Sequence, residues 1–465
     1  MSLVARILTS FAALGLLAAP GLVSPASADA APTDALVPTT LVLDGPLKKK
    51  SGARVQLPVL LSTPNGPLAG AVVVERRVDG VWTALRRVWT DARGRTVAVA
   101  SQSREPANNV FRAKYAGEGG HVASMSAPVR VAIIMRGTRI RLSGPQRVVD
   151  GRRVRIHVSW RAFDGTPIAG QVRLFQRVGK KWKLRRTRGT GAAGKTTVAV
   201  RPRTDSRWRA VGVRSAWALR AESPNHRINN LPPGRPVHLP RAAPRPRVKV
   251  PAQPRATRPG AAASVSRVPN RVWNNMIGRS WHSGCPVGRA GLRLVRINYW
   301  GYDGYRRKGE MVVATAVANN VVGALSEMYR SKFPIRSMHR ADRFGYSRAL
   351  NGGNDYRSMA AGNSSAFNCR NVVNKPGVHS PHAYGGAVDI NTWENPYRSR
   401  TGIVPNRWWQ FHSHPRVAWR SSSHPAVQIM ARHGLRWTYG NGDTQHFDAS
   451  VRGRLVSPRC VGQCH

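Results

Sequence analysis

Two short stretches of this chain bring together the residue types that hold metal ions. In the first, His382 and Asp389 are separated by Ala383-Tyr384-Gly385-Gly386-Ala387-Val388. The two glycines permit a tight turn, and a strand following it would place Ala387 and Asp389 on one face. One imidazole and one carboxylate can then converge. In the second stretch, Asp443-Thr444-Gln445-His446-Phe447-Asp448, His446 offers a third ligand and Asp443 lies three residues before it. Two histidines and one carboxylate leave a fourth tetrahedral position for water, as a catalytic zinc site requires. Two unrelated polar turns are the competing explanation. Acidic residues are scarce around both: from residue 271 to the end there are 27 Lys and Arg against 9 Asp and Glu, so each remaining carboxylate carries information.

The run Ser380-Pro381-His382-Ala383-Tyr384-Gly385-Gly386-Ala387-Val388-Asp389 resembles the signature SxHxxGxAxD of the D-alanyl-D-alanine carboxypeptidase-like zinc peptidases, a family that includes L-Ala-D-Glu endopeptidase-type endolysins. Ser380, His382, Gly385, Ala387 and Asp389 all match. The similarity extends through Asn391, Asn395-Pro396-Tyr397, Trp437 and His446-Phe447, and back to Asn363-Ser364-Ser365-Ala366-Phe367-Asn368-Cys369-Arg370. The resemblance implies that His382, Asp389 and His446 bind Zn2+ and that Asp443 is the general base. Zinc lowers the pKa of its water to about 7, and Asp443 would take the proton during attack and return it to the leaving amine. Many relatives carry Glu at the base position; relatives that cut internal bonds also carry Asp.

Arg370 is a candidate for gripping a substrate carboxylate or the developing oxyanion, because a guanidinium is a fixed fork of donors; a surface arginine is the plain alternative. Asp448 could orient a metal-bound histidine, or equally be a strand-end polar residue. Ser380 is either a substrate contact or, preferably, a turn residue. His412, His414 and His424 read as structural or surface residues, and His339 and His379 as rim residues without a role.

The elements that must position these residues come from a chain of several domains, since 465 residues exceed one ordinary unit. Residues 1–30 read as a secretory signal: Arg6, an apolar run from Ile7 to Leu17, and small residues near Ala26 to Ala30. That run is too short for a spanning helix, and no later stretch is apolar enough, so the mature protein is expected outside the cytoplasm, extracellular or wall-associated, with no transmembrane segment.

An internal repeat at an offset of 100 residues follows: Pro67-Leu68-Ala69-Gly70 with Pro167-Ile168-Ala169-Gly170, Trp82 with Trp182, Gly94 with Gly194. Period-two alternation, as in Val154-Arg155-Ile156-His157-Val158, predicts two β-sandwiches at 38–135 and 136–220, loosely resembling the immunoglobulin-like repeats of secreted bacterial proteins. Trp82 and Trp182 read as core or strand-edge aromatics. Residues 231–270 hold ten prolines and no acidic side chain, which predicts an extended, semi-rigid linker. Residues 271–465 are then an α+β zinc peptidase domain, with helices expected over Met311 to Tyr329 and Ala426 to His433. The whole is multidomain: two all-β immunoglobulin-like sandwiches, then the α+β domain.

The four cysteines, Cys285, Cys369, Cys460 and Cys464, allow three pairings; the preferred one joins Cys285 to Cys369 and Cys460 to Cys464, with a metal knuckle including His465 as the alternative. The net charge of +53 suits polyanions, and no nucleic-acid motif accompanies it, so anionic cell-wall polymers are the expected partners rather than specific nucleic acid. The function so implied is hydrolysis of peptidoglycan stem-peptide amide bonds, as a D-Ala-D-Ala carboxypeptidase or an L-Ala-D-Glu-type endopeptidase. The alternative is a non-catalytic, highly basic wall or polyanion-binding protein that retains a zinc fold.

Overall fold

The computed structural model describes residues 35–399 and 402–458. The signal expected at 1–30, Cys460, Cys464 and His465 lie outside the described residues. The chain is mostly β and divides into two compact units, one reaching to Thr138 and including Arg214–Arg220, the other made of Arg139–Val213 and the chain from Ala221 onward. Among the described residues no helix is long and apolar enough to cross a membrane.

Alternation builds the first β module. In the strand Arg54–Thr63, Val55, Leu57, Val59 and Leu61 are buried while the residues between them are exposed or half-buried. This strand runs antiparallel between Thr40–Leu43 and Arg95–Ser101, and a second sheet centres on Ala71–Val78 between Val81–Trp89 and Val110–Tyr115. Side chains of both sheets share one core that includes Leu57, Leu61, Val74 and Phe111. The second module repeats the plan: Val154–Ala162 pairs with Lys195–Val200, and Gln171–Val178 lies between Lys181–Gly189 and Ser206–Gly212.

The copying reaches local detail. Both modules break register at the same place, between Val74 and Glu75 and between Leu174 and Phe175. Gly94 and Gly194 both have φ +66°, and a Cβ there would stand 2.2 Å from the Leu61 carbonyl oxygen and 2.5 Å from that of Trp160, so only glycine fits. Arg112 sits 4.2 Å over the Trp82 ring while bonding Glu75 at 2.6 Å; Arg209 sits 4.6 Å over Trp182 while bonding Glu222 at 3.0 Å. The two tryptophans are thus strand-edge aromatics covered by guanidinium groups. The second module takes a further strand, His226–Leu231, beyond the expected end at residue 220, because Ile228 and Asn230 alternate inward and pair the strand with Ser206–Gly212.

Residues 232–256 depart from the expected spacer. They have almost no regular secondary structure, as their prolines dictate, yet they are fastened along the C-terminal domain rather than standing free. Gly234 N donates to Gly304 O, Val237 N to Tyr302 O, and Val248 N to Ala360 O, while Trp393 Nε1 donates to Pro244 O at 2.7 Å. Gln253 is buried, bonding Met338 through its backbone and accepting from the Tyr299 hydroxyl at 2.6 Å. The backbone groups that proline leaves in an extended segment found partners on the domain surface.

In the C-terminal domain, Leu292–Trp300 and Arg306–Ala314 form a long hairpin that Ser264–Arg267 extends by pairing with Leu292–Trp300. The expected helix over Met311 to Tyr329 therefore starts late: Met311–Ala314 completes the hairpin, and the helix is Ala318–Arg330. Its Val321, Ala324, Leu325 and Met328 bury against Val295, Ile297, Met311 and Val313, each large side chain contributing roughly 1.5–3 kcal/mol. The second helix, Pro425–Arg432, ends as expected before Gly434, at φ +73°. Both helices share their core with Val388 and Phe447, which lie in the small antiparallel sheet Ala387–Asp389, His446–Val451 and Leu435–Arg436.

Cys285 and Cys369 form a disulfide across 84 residues of sequence, tying the start of the domain to the segment leading into Arg370. Replacing both with serine should lower the domain's unfolding free energy by about 2–5 kcal/mol, read from denaturant titration of tryptophan fluorescence. A change under about 1 kcal/mol would show that the buried contacts around Cys369 hold the crossing without the covalent bond.

Candidate metal centre

Three local structures deliver the three ligands. Ser380 caps a single helical turn, Pro381–Tyr384, which carries His382 inward, and Gly385 leaves that turn at φ +70°. A Cβ at Gly385 would stand 2.7 Å from the Ala314 nitrogen, which donates to the Gly385 carbonyl, so the glycine lets the turn lie against the hairpin. Asp389 ends the strand Ala387–Asp389, and His446 begins the strand His446–Val451 directly opposite it. The pairing of Asp389 with His446 and of Ala387 with Asp448 puts all four on one side of the sheet, while Val388 and Phe447 point into the apolar core on the other.

The side chains converge. Asp389 Oδ2 lies 3.2 Å from His382 Nε2 and Oδ1 lies 3.3 Å from His446 Nδ1, with the two rings nearly perpendicular and 4.9 Å between centroids. One ligand atom from each residue falls within 4.8 Å of the others, and all three residues are buried.

Hydrogen bonds on the far side of each ring fix which nitrogen faces inward. His382 Nδ1 is 2.9 Å from the Ala366 carbonyl oxygen, which can only accept, so Nδ1 carries the proton and Nε2 presents its lone pair. His446 Nε2 is 2.9 Å from Asp448 Oδ1, which leaves Nδ1 as the inward atom. Gln445 donates to Asp389 Oδ2 at 3.5 Å. Burial alone would raise the Asp389 carboxyl, but His382 and His446 outweigh it and hold the group well below the usual carboxylate range. Burial works against a charged His446, and Asp448 and Asp389 outweigh that in turn, raising it well above an ordinary histidine. The field at the meeting point favours positive charge. Two nitrogens with fixed tautomers, one ionised carboxylate and a field that favours a cation are the donor set a divalent metal needs.

Residues 374–449 match the family model described as D-alanyl-D-alanine carboxypeptidase. This is the family that the motif resembles, and the matched segment marks the C-terminal domain as peptidase-like. It contains Ser380, His382, Asp389, Asp443, His446 and Asp448, and leaves Arg370, Ala366 and the disulfide outside. The search of curated proteins returned no match. Among solved structures, invasin, titled a bacterial integrin-binding protein, is 12% identical over 58% of this chain with a TM-score of 0.32. The D0-D1 domain of intimin is 15% identical over 41% of this chain and 97% of its own, with a TM-score of 0.17. This chain covers 47% of the invasin chain, about half its length. Both likenesses are too slight to bear on function.

Around the carboxypeptidase-like ligand set, Asp443 is buried at the end of the turn Gly440–Gly442, and its charge is one of those acting on His446. Its backbone bridges to Tyr397, whose phenol burial pushes well above the usual value. Ser380 accepts from His382 N at 3.4 Å and donates its own N–H to Arg370 O at 2.9 Å, so it acts as the turn residue. Arg370 is buried, and its guanidinium holds Asp355 at 2.8 Å. His412 stacks on Trp408 at 3.8 Å, His424 caps the helix Pro425–Arg432, and His414 reaches His238 O; none joins the ligand group. His339 is half-buried and pushed down to about 4 by burial and then Arg343, and is not one of the ligand group; His379 packs edge-on to Tyr384.

Sequence reasoning missed Asp355, the partner of Arg370, and the Ala366 carbonyl. Asp355 stood out as one of the few acids in the domain, but nothing in the sequence pairs it with Arg370; a backbone carbonyl leaves no signal in residue type.

Asp448→Asn should lower Co2+ affinity about 10–100-fold, read by competition with a coloured chelator, because a neutral amide holds the His446 proton at Nε2 more weakly than a carboxylate and can present its own N–H there instead. Gly385→Ala should lower the stability of the domain by about 2 kcal/mol or more in thermal unfolding, since both the positive φ and the contact with Ala314 oppose a Cβ.

Proposed function

We propose that the C-terminal domain, an α+β unit, is a secreted zinc peptidase that hydrolyses amide bonds in peptidoglycan stem peptides. The observation that carries this is the convergence of His382 Nε2, Asp389 and His446 Nδ1, each ring held in the ligating tautomer by a second contact. The carboxypeptidase family match over the same residues supports the reaction class. Zinc, the metal typical of such a two-histidine, one-carboxylate set, supplies Lewis acidity and lowers the pKa of water toward 7.

The chain's own residues do the rest. The Asp443 carboxylate takes the proton of the attacking water and delivers it to the departing amine nitrogen as the C–N bond breaks. Asp448 and the Ala366 carbonyl keep the two imidazoles from turning. Asp443 is also a third negative charge acting on His446, beside Asp389 and Asp448, which keeps the site selective for a cation.

Of the two bonds considered, the internal L-Ala-D-Glu type is favoured. A carboxypeptidase must grip a free terminal carboxylate, and Arg370, the candidate for that grip, is buried and engaged with Asp355. We assign Arg370 a positioning role: its guanidinium holds Asp355, and its backbone carbonyl accepts from the Ser380 N–H at the entry to His382. The secretory leader and the basic modules fit an enzyme working outside the cell on an anionic wall.

Mass spectrometry of purified peptidoglycan fragments incubated with the zinc-loaded mature protein tests this. Chelator-sensitive release of peptides cut after L-Ala is expected, with loss of about 100-fold or more in Asp443→Ala. Release of terminal D-Ala instead would assign the carboxypeptidase reaction, and undiminished release by Asp443→Ala would remove the base from the mechanism.

A further inference from the structure

The second β module carries a groove of about 580 Å³ whose rim is built from Arg153, Arg185, Arg186, Arg188 and Arg201. Three of these lie on one edge strand, Lys181–Gly189, and strand alternation alone would send Arg185 to the face opposite Arg186 and Arg188. The register break prevents that. Leu174 pairs with Arg186 and Phe175 with Leu184, so Arg185 is the extra residue of a bulge, and a bulge re-aims its side chain. Arg186 and Arg188, opposite the buried Leu174 and Val172, face the inner side of the sheet at the mouth of the sandwich, where the facing strand contributes Thr197 to Val200 and then Arg201.

Among the described residues none of the five arginines meets a carboxylate. Their hydrogen bonds go to neutral acceptors: Arg185 to Gln176 Oε1 at 2.9 Å, Arg186 to Arg185 O at 2.9 Å, Arg188 to Thr187 O at 3.4 Å, Arg201 to Gly151 O. Elsewhere in the same module arginines are paired, as Arg209 is with Glu222.

The first module is an internal control. It has the same strands and the same bulge, and at the matching positions it carries Arg54, Leu85, Arg86, Val88 and Ser101. The scaffold needs no cluster of arginines there. Five like charges around one cleft repel one another unless an anion lies between them.

We infer that this groove is a binding site for a linear phosphodiester polymer without bases. Guanidinium forks match phosphate oxygens, and the spread of the five, three on one edge strand and one at the end of each of two others, suits successive phosphates rather than one ion. The one aromatic lining the groove, Trp208, is buried and bonds Ser206 at 2.9 Å, so no ring is offered to a nucleobase, as single-stranded nucleic acid sites require. This site is separate from the metal centre and its test reads binding, not hydrolysis.

The probe is a fluorescent glycerol-phosphate oligomer, titrated into the full mature chain at several salt concentrations. The triple variant Arg185→Gln, Arg186→Gln, Arg188→Gln, all exposed positions, should bind roughly tenfold or more weakly and reduce the slope of log K against log salt by about 2 to 3. A charge-matched control, Lys48→Gln, Lys49→Gln, Lys50→Gln in the first module, should change affinity less than about twofold. Equal losses in both variants would assign binding to the overall field and overturn the site. A single-stranded oligonucleotide of equal charge that binds more tightly, with the same arginine dependence, would overturn the polymer class. Self-association of the triple variant with unchanged oligomer binding would show that the arginines only guard a strand edge.

Discussion

An ionised carboxylate held out of water between two imidazoles is the constraint around which the C-terminal domain is arranged. Isolated, such a charge would cost many kcal/mol to bury and would take up a proton instead. Asp389 avoids this because its cross-strand neighbour is His446 and because the turn at Gly385 brings His382 to its other oxygen. Neither histidine is then at liberty to rotate, and the groups that restrain them, Asp448 and Ala366, become part of the same arrangement. The small sheet, the helical turn and the apolar floor of Val388 and Phe447 are what keep these few atoms within reach of one another.

The site was legible in the sequence to the extent that it is local. Histidine, glycines and aspartate within ten residues carry their own geometry, and the role of Asp448 follows from a strand in which alternate residues share a face. What was not legible depends on distant pairing. Nothing near Arg370 announces Asp355, and the late start of the helix Ala318–Arg330 was decided by the hairpin, which claimed Met311 to Ala314 for pairing with Leu292 to Val295. Helical periodicity over those four apolar residues was real, but burial on both faces of a central strand produces apolar runs as well. The duplicated β modules were the most readable feature, since repeated turns and alternation survive without knowledge of tertiary contacts.

Charge is distributed by the same logic throughout. The few acids of the second unit are mostly committed to named arginines: Glu394 to Arg336, Asp342 to Arg340, Asp303 to Arg307, Asp150 to Arg203. These pairs neutralise guanidinium groups that folding buries or half-buries, while Arg420, also withdrawn from water, is held by backbone carbonyls and Asn395. The surplus is left on strand edges and loops, where water screens it and where a polyanion can approach.

The fastened segment 232–256 alters how readily such a chain is cut by proteases. A basic stretch standing free between domains would be an open target for proteases that cut after arginine. Here Arg235, Arg245 and, just beyond, Arg258 are each followed by proline, whereas Arg241, Arg247 and Arg255 are not, and the backbone of the segment is hydrogen-bonded to Gly304, Tyr302 and Ala360. A protease needs an extended, detached strand to close upon, and this one is already occupied. The joint that composition marks as the weakest point of the molecule is therefore defended at some of its bonds by proline and at the others by attachment along its length.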